Sequence, residues 1–186
     1  MRRNEPGVDV VVVGATPGGL AAAIAAARLG RRVTVLERTR HIGGLPANGL
    51  GITDILTREA TGGIFREFVQ RVKTHYLSSY GVGSQPVEDC DQGYRFEPSV
   101  AEQVYETMVR EQPSVTVLRR RQFEAKPGNV QKLGPRLNQI LVTNLDSGEP
   151  ESYRAQAFVD ATYEGDLAAA AGAPYRVGRE SKADHG

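Results

Sequence analysis

The sequence predicts an α/β fold in which a parallel sheet is joined to an antiparallel β-meander, and two patterns indicate it. In residues 8–37 a β-branched run, a glycine turn, an alanine-rich segment and a second apolar run follow one another with very short joints. In residues 115–162 short apolar or alternating runs are separated by Pro, Gly, Asn and Asp. A length of 186 residues allows one domain with a sizeable core and is too short for two full ones. We therefore expect residues 1–186 to form a single domain.

The first pattern predicts a strand, a helix and a second strand in direct succession. Residues 8–13 are almost purely β-branched, which is typical of a strand buried on both faces in a parallel sheet. Gly14 ends that strand, and residues 18–29 are expected to be helical because alanine is the best helix former. A second buried strand follows at residues 33–36 and closes with Glu37. Short joints of this kind predict a right-handed βαβ crossover.

The rest of the chain predicts two longer helices and the meander. Hydrophobic residues recur at helical spacing in residues 64–77 and 99–109, whereas residues 78–98 between them are turn-rich and are expected to be exposed. Residues 41–61 form a glycine-dense loop without a clear period, and long loops of this kind are usually functional or disordered. The expected meander strands are 115–120, 122–127, 138–145 and 152–162, and a short helix follows at 167–171. We expect the meander to cover the face of the parallel sheet opposite the alanine-rich helix.

Composition excludes several classes of function. The 23 basic and 22 acidic residues give a net charge of +1 and form no concentrated positive face, so no nucleic-acid partner is expected. The alanine-rich run 20–29 is far shorter than the roughly 20 residues that span a bilayer, and no signal peptide precedes it. We therefore expect no membrane partner and a cytoplasmic location.

The single cysteine, Cys90, fits a reducing compartment and excludes a redox dithiol. His75 and His185 lack ligand spacing, so no metal site is expected.

The corner between the first strand and the helix has the features of a nucleotide diphosphate site. The first turn of a helix supplies free N–H groups and a partial positive charge, provided that the backbone can approach the ligand closely. Gly14 permits the sharp turn, and Gly19 lets the helix pack tightly on the sheet. Thr16 stands where G-x-G-x-x-G has its second glycine, and its hydroxyl either donates to a phosphate oxygen or only caps the helix. The candidate diphosphate residues are Gly14, Thr16, Pro17, Gly18 and Gly19.

Glu37 is a candidate for binding the ribose of an adenosine. It ends the second strand 23 residues after Gly14, which is the context that the glycine motif requires. A carboxylate there repels a 2′-phosphate, so an NADP-type ligand is disfavoured. Such a ligand is not excluded, because the neighbouring Arg38 could accommodate the phosphate. The alternative for Glu37 is a solvated acid at a strand end. From these residues alone, an FAD-binding unit and an NAD-binding unit both stay open.

A motif after Glu37 resembles a flavin-binding segment. Glu37 is followed, after five residues, by Gly43, Gly44 and Leu45. This E-x5-GG spacing resembles the two-dinucleotide-binding-domain flavoproteins related to glutathione reductase, in which the glycines let the loop lie close over the extended part of FAD. The resemblance implies cofactor contacts at Gly43, Gly44 and Leu45, in addition to Glu37 and Arg38.

A segment near the carboxyl end resembles the second FAD contact of the same superfamily. A strand there ends in a small-residue turn, with Asp160, Ala161 and Thr162 in the places where such proteins carry A-T-G, and with Tyr163 in the usual glycine position. We further expect Asp166, an acid at the start of the short helix, to lie near the cofactor and to serve in positioning more than in catalysis.

Four segments together resemble the bacterial FAD-dependent oxidoreductases, some of which are described as xanthan-lyase-like. They are GATPGGLAAAIAAARLG, HIGGLPANGLGITD, GYRFEPSVAEQVYETM and DATYEGDLAAAAGAPYRVGRES. The resemblance spans essentially the whole chain, and Thr16 is a common variant of the glycine loop in that group. It implies a Rossmann-like FAD-binding domain, FAD bound noncovalently, and a flavin that exchanges electrons with an unidentified small organic substrate.

The same resemblance leads to expectations about the extent of the chain. The substrate domain and the closing FAD segment of the superfamily have no counterpart here, so we expect an N-terminal fragment or a truncated gene product with weak FAD affinity and no turnover.

Two further features have alternative interpretations. Residues 48–54 either pass beside the isoalloxazine ring or form a plain glycine turn. His41 serves as an acid, a base or a flavin attachment point, or it is a solvent-facing histidine without such a role. No residue receives a catalytic role, and no oligomeric state is predicted. The alternatives for the whole chain are an NAD-binding dehydrogenase module and a non-catalytic nucleotide-binding remnant.

Overall fold

The computed structural model describes residues 8–179 and 181–184 of the chain. Its strands are β1 (Val8–Val13), β2 (Val33–Glu37), β3 (Val115–Arg119), β4 (Arg121–Gln122), β5 (Val130–Leu133), β6 (Arg136–Asn144) and β7 (Pro150–Asp160). Its α-helices are α1 (Pro17–Arg28), α2 (Gly44–Ala47), α3 (Gly63–Tyr80), α4 (Gln85–Asp89), α5 (Pro98–Arg110) and α6 (Asp166–Ala170). Short 3-10 helices lie at Arg58–Ala60, Asp91–Gly93, Pro127–Asn129 and Lys182–Asp184. His185, considered above as a metal ligand, lies outside the described residues.

The strands form one sheet in the order β3-β2-β1-β7-β6-β4, with β5 beside β6. Strands β3, β2, β1 and β7 run parallel, whereas β4, β5 and β7 pair antiparallel with β6. The long strand β7 joins the two parts, because residues 155–160 pair with β1 and residues 150–154 pair with β6. The predicted α/β fold, with a parallel sheet and an antiparallel meander, is therefore confirmed.

One predicted meander strand belongs to the parallel part instead. Strand β3 pairs parallel with β2, in a register that runs from Val33 with Val115 to Glu37 with Arg119. It is an edge strand and is less buried than β2, whose residues are all buried. Partial burial produces an alternating sequence, and alternation alone does not distinguish a parallel partner from an antiparallel one.

Two separate hydrophobic clusters lie on opposite faces of the parallel strands. On one face, side chains such as Val12 of β1 and Val35 of β2 pack with buried residues of α1, α3 and α5. The cluster on the other face contains Val11, Val13, Leu36, Phe123, Ile140, Val142, Leu167 and Ala170. Because its members come from β1, β2, the meander and α6, the meander covers the face opposite α1, as the sequence predicts.

Residues 78–98 are less exposed than their composition indicates. They contain α4 and a 3-10 turn, and they bury Cys90, Tyr94 and Phe96. Phe96 packs edge-on against Phe68 of α3, with ring centroids 5.4 Å apart. The expectation of an exposed segment is confirmed for most of residues 78–89 and is wrong for residues 90–96. The apolar side chains there form no periodic pattern, and packing into the cluster that contains α3 and α5 buries them.

Candidate functional site

The corner between β1 and α1 depends on two glycines that allow close backbone contact. Gly14 has φ +100°, a left-handed conformation, and a Cβ there would lie 2.6 Å from the carbonyl oxygen of Ala161. A Cβ at Gly19 would overlap the carbonyl oxygen of Gly14. A larger residue at either position would force the backbone segments apart. The corner therefore brings the end of β1, the start of α1 and the turn after β7 into direct contact.

Thr16 uses its hydroxyl within the protein. As the N-cap of α1, its Oγ1 accepts a hydrogen bond from the Gly19 N–H at 3.2 Å and donates one to the carbonyl oxygen of Ala161 at 2.9 Å. The single hydroxyl proton is therefore engaged, so capping, of the two roles expected for Thr16, is the one that the structure shows. Among the described residues, neither the Thr16 N–H nor the Gly18 N–H has a protein acceptor. The first turn of α1 thus presents backbone donors, and a Cβ at Gly18 would meet its nearest neighbour, Thr16 Oγ1, only at 3.9 Å.

Glu37 lies at the same corner as a buried carboxylate. The residue is 8% exposed, its Oε2 accepts a hydrogen bond from the Ala15 N–H at 2.8 Å, and its Oε1 accepts one from the Thr39 N–H at 2.7 Å. These bonds fix the carboxylate against the glycine loop, and each oxygen keeps a further lone pair for a ligand hydroxyl. The alternative of a solvated acid at a strand end is therefore wrong.

The loop at Gly43 and Gly44 packs onto this corner. The Gly43 N–H donates to the carbonyl oxygen of Ala15 at 2.8 Å. A Cβ at Gly43 would lie 2.9 Å from the ring of Tyr105, and a Cβ at Gly44 would overlap the hydroxyl oxygen of Tyr163. Burial, and to a lesser extent the nearby Tyr163, raises the pKa of the Tyr105 hydroxyl, which therefore stays protonated beneath the loop. A side chain at Gly43 would collide with Tyr105 and one at Gly44 with Tyr163, so both positions require glycine.

Asp160 and Thr162 build the turn between β7 and α6. The Asp160 carboxylate accepts hydrogen bonds from the N–H groups of Thr162 at 3.0 Å and of Ala168 at 2.7 Å, and from the Thr162 hydroxyl at 2.8 Å. The Thr162 oxygen in turn accepts from the N–H groups of Gly165 at 2.9 Å and Asp166 at 3.0 Å. The Asp160 side chain is therefore engaged within the turn itself, and its contribution to the corner is structural.

A cavity of about 700 Å³ opens at the carboxyl ends of β1 and β2. It is lined by Val13, Gly14, Thr16, Leu36, Glu37, Arg38, Thr39, His41, Gly44, Leu45, Asn48, Arg121, Gln122, Phe123, Glu124, Thr162, Tyr163, Glu164 and Asp166. The predicted cofactor residues among them are Gly14, Thr16, Glu37, Arg38, Gly44, Leu45, Thr162 and Asp166. The structure thus brings together residues from three separate predicted segments.

The other predicted cofactor residues do not line the cavity. They are Pro17, Gly18, Gly19, Gly43, Asp160 and Ala161. Gly19, Gly43 and Ala161 are packing positions where one segment of backbone touches another, and Asp160 serves the turn. Gly18 is exposed at the start of α1, where its N–H has no protein acceptor among the described residues. For these residues a direct cofactor contact stays a prediction, whereas their packing role is observed.

The charges on the cavity wall are mixed. Burial, followed by the charges of Glu164 and Asp160, raises the pKa of the Asp166 carboxyl, while Arg38 acts in the opposite direction. Arg121 is paired with the carboxylate of Glu151 at 3.1 Å, so its charge is largely engaged within the meander. A ligand that enters the cavity therefore meets both signs of charge.

Sequence reasoning missed one wall of the cavity. Residues 121–124 line it, and Phe123 is buried there, yet their sequence carries no glycine motif. The pairing of β3 with β2 and of β4 with β6 brings them to the site. His41 also lines the cavity with its side chain 60% exposed, and its Nδ1 lies 3.0 Å from the Glu102 carboxylate. Of residues 48–54, Asn48 alone is on the wall, where its Nδ2 donates to the carbonyl oxygen of Gly44 at 2.7 Å.

The described part of the chain gives no indication of a metal site or a membrane span. Within residues 8–179 and 181–184, no group of three or more His, Cys, Asp and Glu side chains is arranged to hold a metal ion. In the same residues, no helix combines the length and the apolar character that crossing a bilayer requires.

The parallel sheet, the glycine corner and the acid at the end of β2 together define a dinucleotide-binding α/β protein. A family model of the FAD dependent oxidoreductases matches residues 9–186, and the chain belongs to that family. FAD is therefore its cofactor, and the predicted family and cofactor are confirmed. The narrower likeness to xanthan-lyase-like members stays a prediction.

Relatives and solved structures share parts of the chain. The soluble pyridine nucleotide transhydrogenase of Mycobacterium tuberculosis is 48% identical over 52 residues, which are 28% of this chain and 11% of the relative. Glycerol-3-phosphate dehydrogenase from Bacillus halodurans, solved in complex with FAD, is similar over 90% of this chain and 37% of its own, with 11% identity and a TM-score of 0.57. THI4 from Thermovibrio ammonificans is similar over 84% of this chain and 57% of its own, with 20% identity and a TM-score of 0.52. The two structures show the fold, and the chain spans less than two thirds of the length of each of these proteins.

Proposed function

We propose that this chain acts as the FAD-binding portion of a flavin-dependent oxidoreductase whose substrate is a small organic molecule. The observation that carries the proposal is the corner between β1 and α1. There the N–H groups of Thr16 and Gly18 have no protein acceptor among the described residues, and the buried Glu37 carboxylate lies beside the same glycine loop. A dinucleotide needs both features, one for its diphosphate and one for its adenosine ribose.

The diphosphate fits the first turn of α1. The N-terminal end of a helix carries a partial positive charge, which favours a phosphate anion, and backbone N–H groups reach a phosphate only where side chains leave room. A Cβ at Gly18 would meet its nearest neighbour at 3.9 Å, so the approach to this turn is open. Thr16 supports the site through its backbone N–H, since its hydroxyl proton bonds to Ala161.

The adenosine ribose fits the Glu37 carboxylate. Hydrogen bonds from Ala15 and Thr39 hold both carboxylate oxygens in place, and the remaining lone pairs accept hydroxyl protons from a ribose. A fixed carboxylate repels a 2′-phosphate, so a ligand with free ribose hydroxyls is favoured, even though Arg38 is exposed on the same wall. FAD carries such a ribose.

The cavity supplies the remaining contacts. Its volume of about 700 Å³ lies in the usual range of cofactor sites, and Val13, Leu36 and Phe123 give it an apolar wall. FAD, when bound, supplies the hydride and electron exchange of a flavin. The residues of this chain hold and orient the nucleotide, and no side chain among those described is assigned to proton transfer.

Titration of the apoprotein with FAD tests the proposal. We expect binding that quenches flavin fluorescence, and a rise in melting temperature larger with FAD than with NADH, because a ligand stabilises the state to which it binds. A larger shift with NADH would favour the NAD-binding dehydrogenase module. Protein that binds FAD but whose flavin no donor reduces would favour a non-catalytic remnant, and protein that stays colourless with FAD would contradict the proposal.

A further inference from the structure

Tyr163 stands where the resemblance to flavoproteins leads us to expect a glycine, and the structure gives this side chain a defined place. The residue is 53% exposed and lines the cavity. Its hydroxyl oxygen accepts a hydrogen bond from the Leu45 N–H at 2.7 Å, across 118 positions of sequence. The phenol thus connects the turn after β7 with the short helix α2.

The same hydroxyl lies next to the start of α1. A Cβ built on Gly44 would overlap the Tyr163 hydroxyl oxygen, and from the same point Pro17 Cδ would lie at 3.1 Å and Thr16 Cα at 3.2 Å. The phenol oxygen of Tyr163 and the first turn of α1 therefore both lie close to Gly44. Gly44 has φ +58°, so glycine is favoured there by its conformation as well as by Tyr163.

The hydrogen bonds of the phenol leave its proton available. A tyrosine hydroxyl donates one hydrogen bond and accepts others, and the Leu45 N–H occupies the acceptor side. Within the described residues, the hydroxyl proton of Tyr163 has no protein acceptor. At Thr16, by contrast, the proton is engaged by Ala161. Tyr163 is thus a side-chain hydroxyl beside the corner whose proton is free for a ligand.

We propose that Tyr163 is a nucleotide-binding residue whose hydroxyl donates a hydrogen bond to a diphosphate oxygen at the start of α1. This inference rests on the proposed function, because it takes the diphosphate of FAD as the acceptor. The Leu45 N–H holds the phenol in place and polarises it, which strengthens the bond that the hydroxyl donates. A neutral donor is suited to a wall that also carries Glu164 and Asp166, since it adds no charge to pair with them.

Binding of FAD and of ADP to three variants tests this role. Tyr163→Phe removes the hydroxyl and keeps the ring, and Tyr163→Gly restores the residue typical of the superfamily. Tyr80→Phe is the matched control, because Tyr80 is also 53% exposed and does not line the cavity. A hydrogen bond to a charged group is expected to change the dissociation constant by about tenfold or more. We therefore expect Tyr163→Phe and Tyr163→Gly to bind both ligands about tenfold more weakly than wild type, and Tyr80→Phe to bind them equally well, by isothermal titration calorimetry.

The outcomes separate the inference from the proposed function. If Tyr163→Phe binds both ligands like wild type, or if Tyr163→Gly binds them more tightly because the ring obstructs the site, the role of Tyr163 is overturned. An effect on FAD without an effect on ADP also overturns it, because the hydroxyl would then contact the flavin. If wild-type protein binds ADP but not FAD, the flavin assignment fails while the ADP comparison still decides the role of Tyr163. If it binds neither ligand, both are overturned. Equal melting temperatures of wild type and Tyr163→Phe exclude a folding defect.

Discussion

The two faces of the parallel strands are covered to different extents. Towards α1, α3 and α5, one continuous cluster reaches from Val12 to Met108, and none of its members lines the cavity. Towards the meander the cluster is smaller, and Val13, Leu36 and Phe123 belong both to it and to the cavity wall. The helix face therefore supports the corner, whereas the meander face leaves room for a ligand. Substitutions on the two faces should have different effects on stability and on binding.

The largest loss of stability is expected at the corner between β1 and α1, where the backbone of Gly19 lies directly against that of Gly14. A Cβ at Gly19 would overlap the carbonyl oxygen of Gly14 and lie 2.9 Å from the Cβ of Ala161, so Gly19→Ala must push α1 away from the sheet. We expect a loss of at least about 4 kcal/mol in the free energy of unfolding, at the upper end for a single substitution, and loss of FAD binding.

Gly18→Ala is the matched control for this corner, because a Cβ there would meet its nearest neighbour only at 3.9 Å. Urea unfolding should show the control as stable as wild type or up to about 1 kcal/mol more stable, because alanine reduces the conformational entropy of the unfolded chain. Equal stability of the Gly19 and Gly18 variants would contradict the close contact between β1 and α1.

Truncation of one buried side chain on each face sharpens the comparison. Met108→Ala on the helix face and Phe123→Ala on the meander face should each lower the free energy of unfolding by about 3 to 4 kcal/mol, since both side chains are buried. Only the Phe123 variant should also weaken FAD binding, because Phe123 lines the cavity. Unfolding by urea and FAD titration of the folded protein measure the two effects, and a Met108 variant with weaker FAD affinity would show that the faces are not independent.

Glu37→Gln should lower the affinity for FAD as well as the free energy of unfolding. The substitution places an NH₂ group against either the Ala15 N–H or the Thr39 N–H, so one buried hydrogen bond is lost at a cost of about 2 kcal/mol. The charged ribose acceptor is lost as well, and FAD affinity should fall at least about tenfold. The control is Glu59→Gln, an exposed acid that does not line the cavity. Unchanged FAD affinity of the Glu37 variant would remove the ribose assignment.

The smallest effect is expected from an ion-pair cluster on the surface of the helix face. Hydrogen bonds from Arg28 and then Arg71 hold the pKa of the Glu67 carboxyl below its ordinary value of 4.5. A lowered carboxyl pKa adds stability above the ordinary value, and that stability is lost as pH falls through the lowered one. We expect Glu67→Gln to cost less than about 1 kcal/mol at pH 7, and the cost to shrink as pH falls through the lowered pKa. A difference from wild type that grows as pH falls would contradict this sign, and FAD affinity at pH 7 should not change.

Elements whose sequence pattern is local could be predicted from the sequence alone. The β1-α1-β2 unit follows from β-branched runs, an alanine-rich helix and glycine stops, and each of these acts within a few residues. The acid at Glu37 follows from its position at a strand end. The wall formed by residues 121–124 could not be predicted, because it depends on strand pairing between distant segments, of β3 with β2 and of Arg121 with Asn144. The contact between Tyr163 and Leu45 spans 118 positions of sequence, and it requires the complete sheet to bring the two segments together.

A crystal structure of the FAD complex tests most directly whether the corner between β1 and α1 holds the diphosphate. We predict phosphate oxygens within hydrogen-bonding distance of the N–H groups of Thr16 and Gly18, with the adenosine ribose on the Glu37 carboxylate. A nucleotide bound at another place, with those N–H groups facing solvent, would contradict the assignment of this corner.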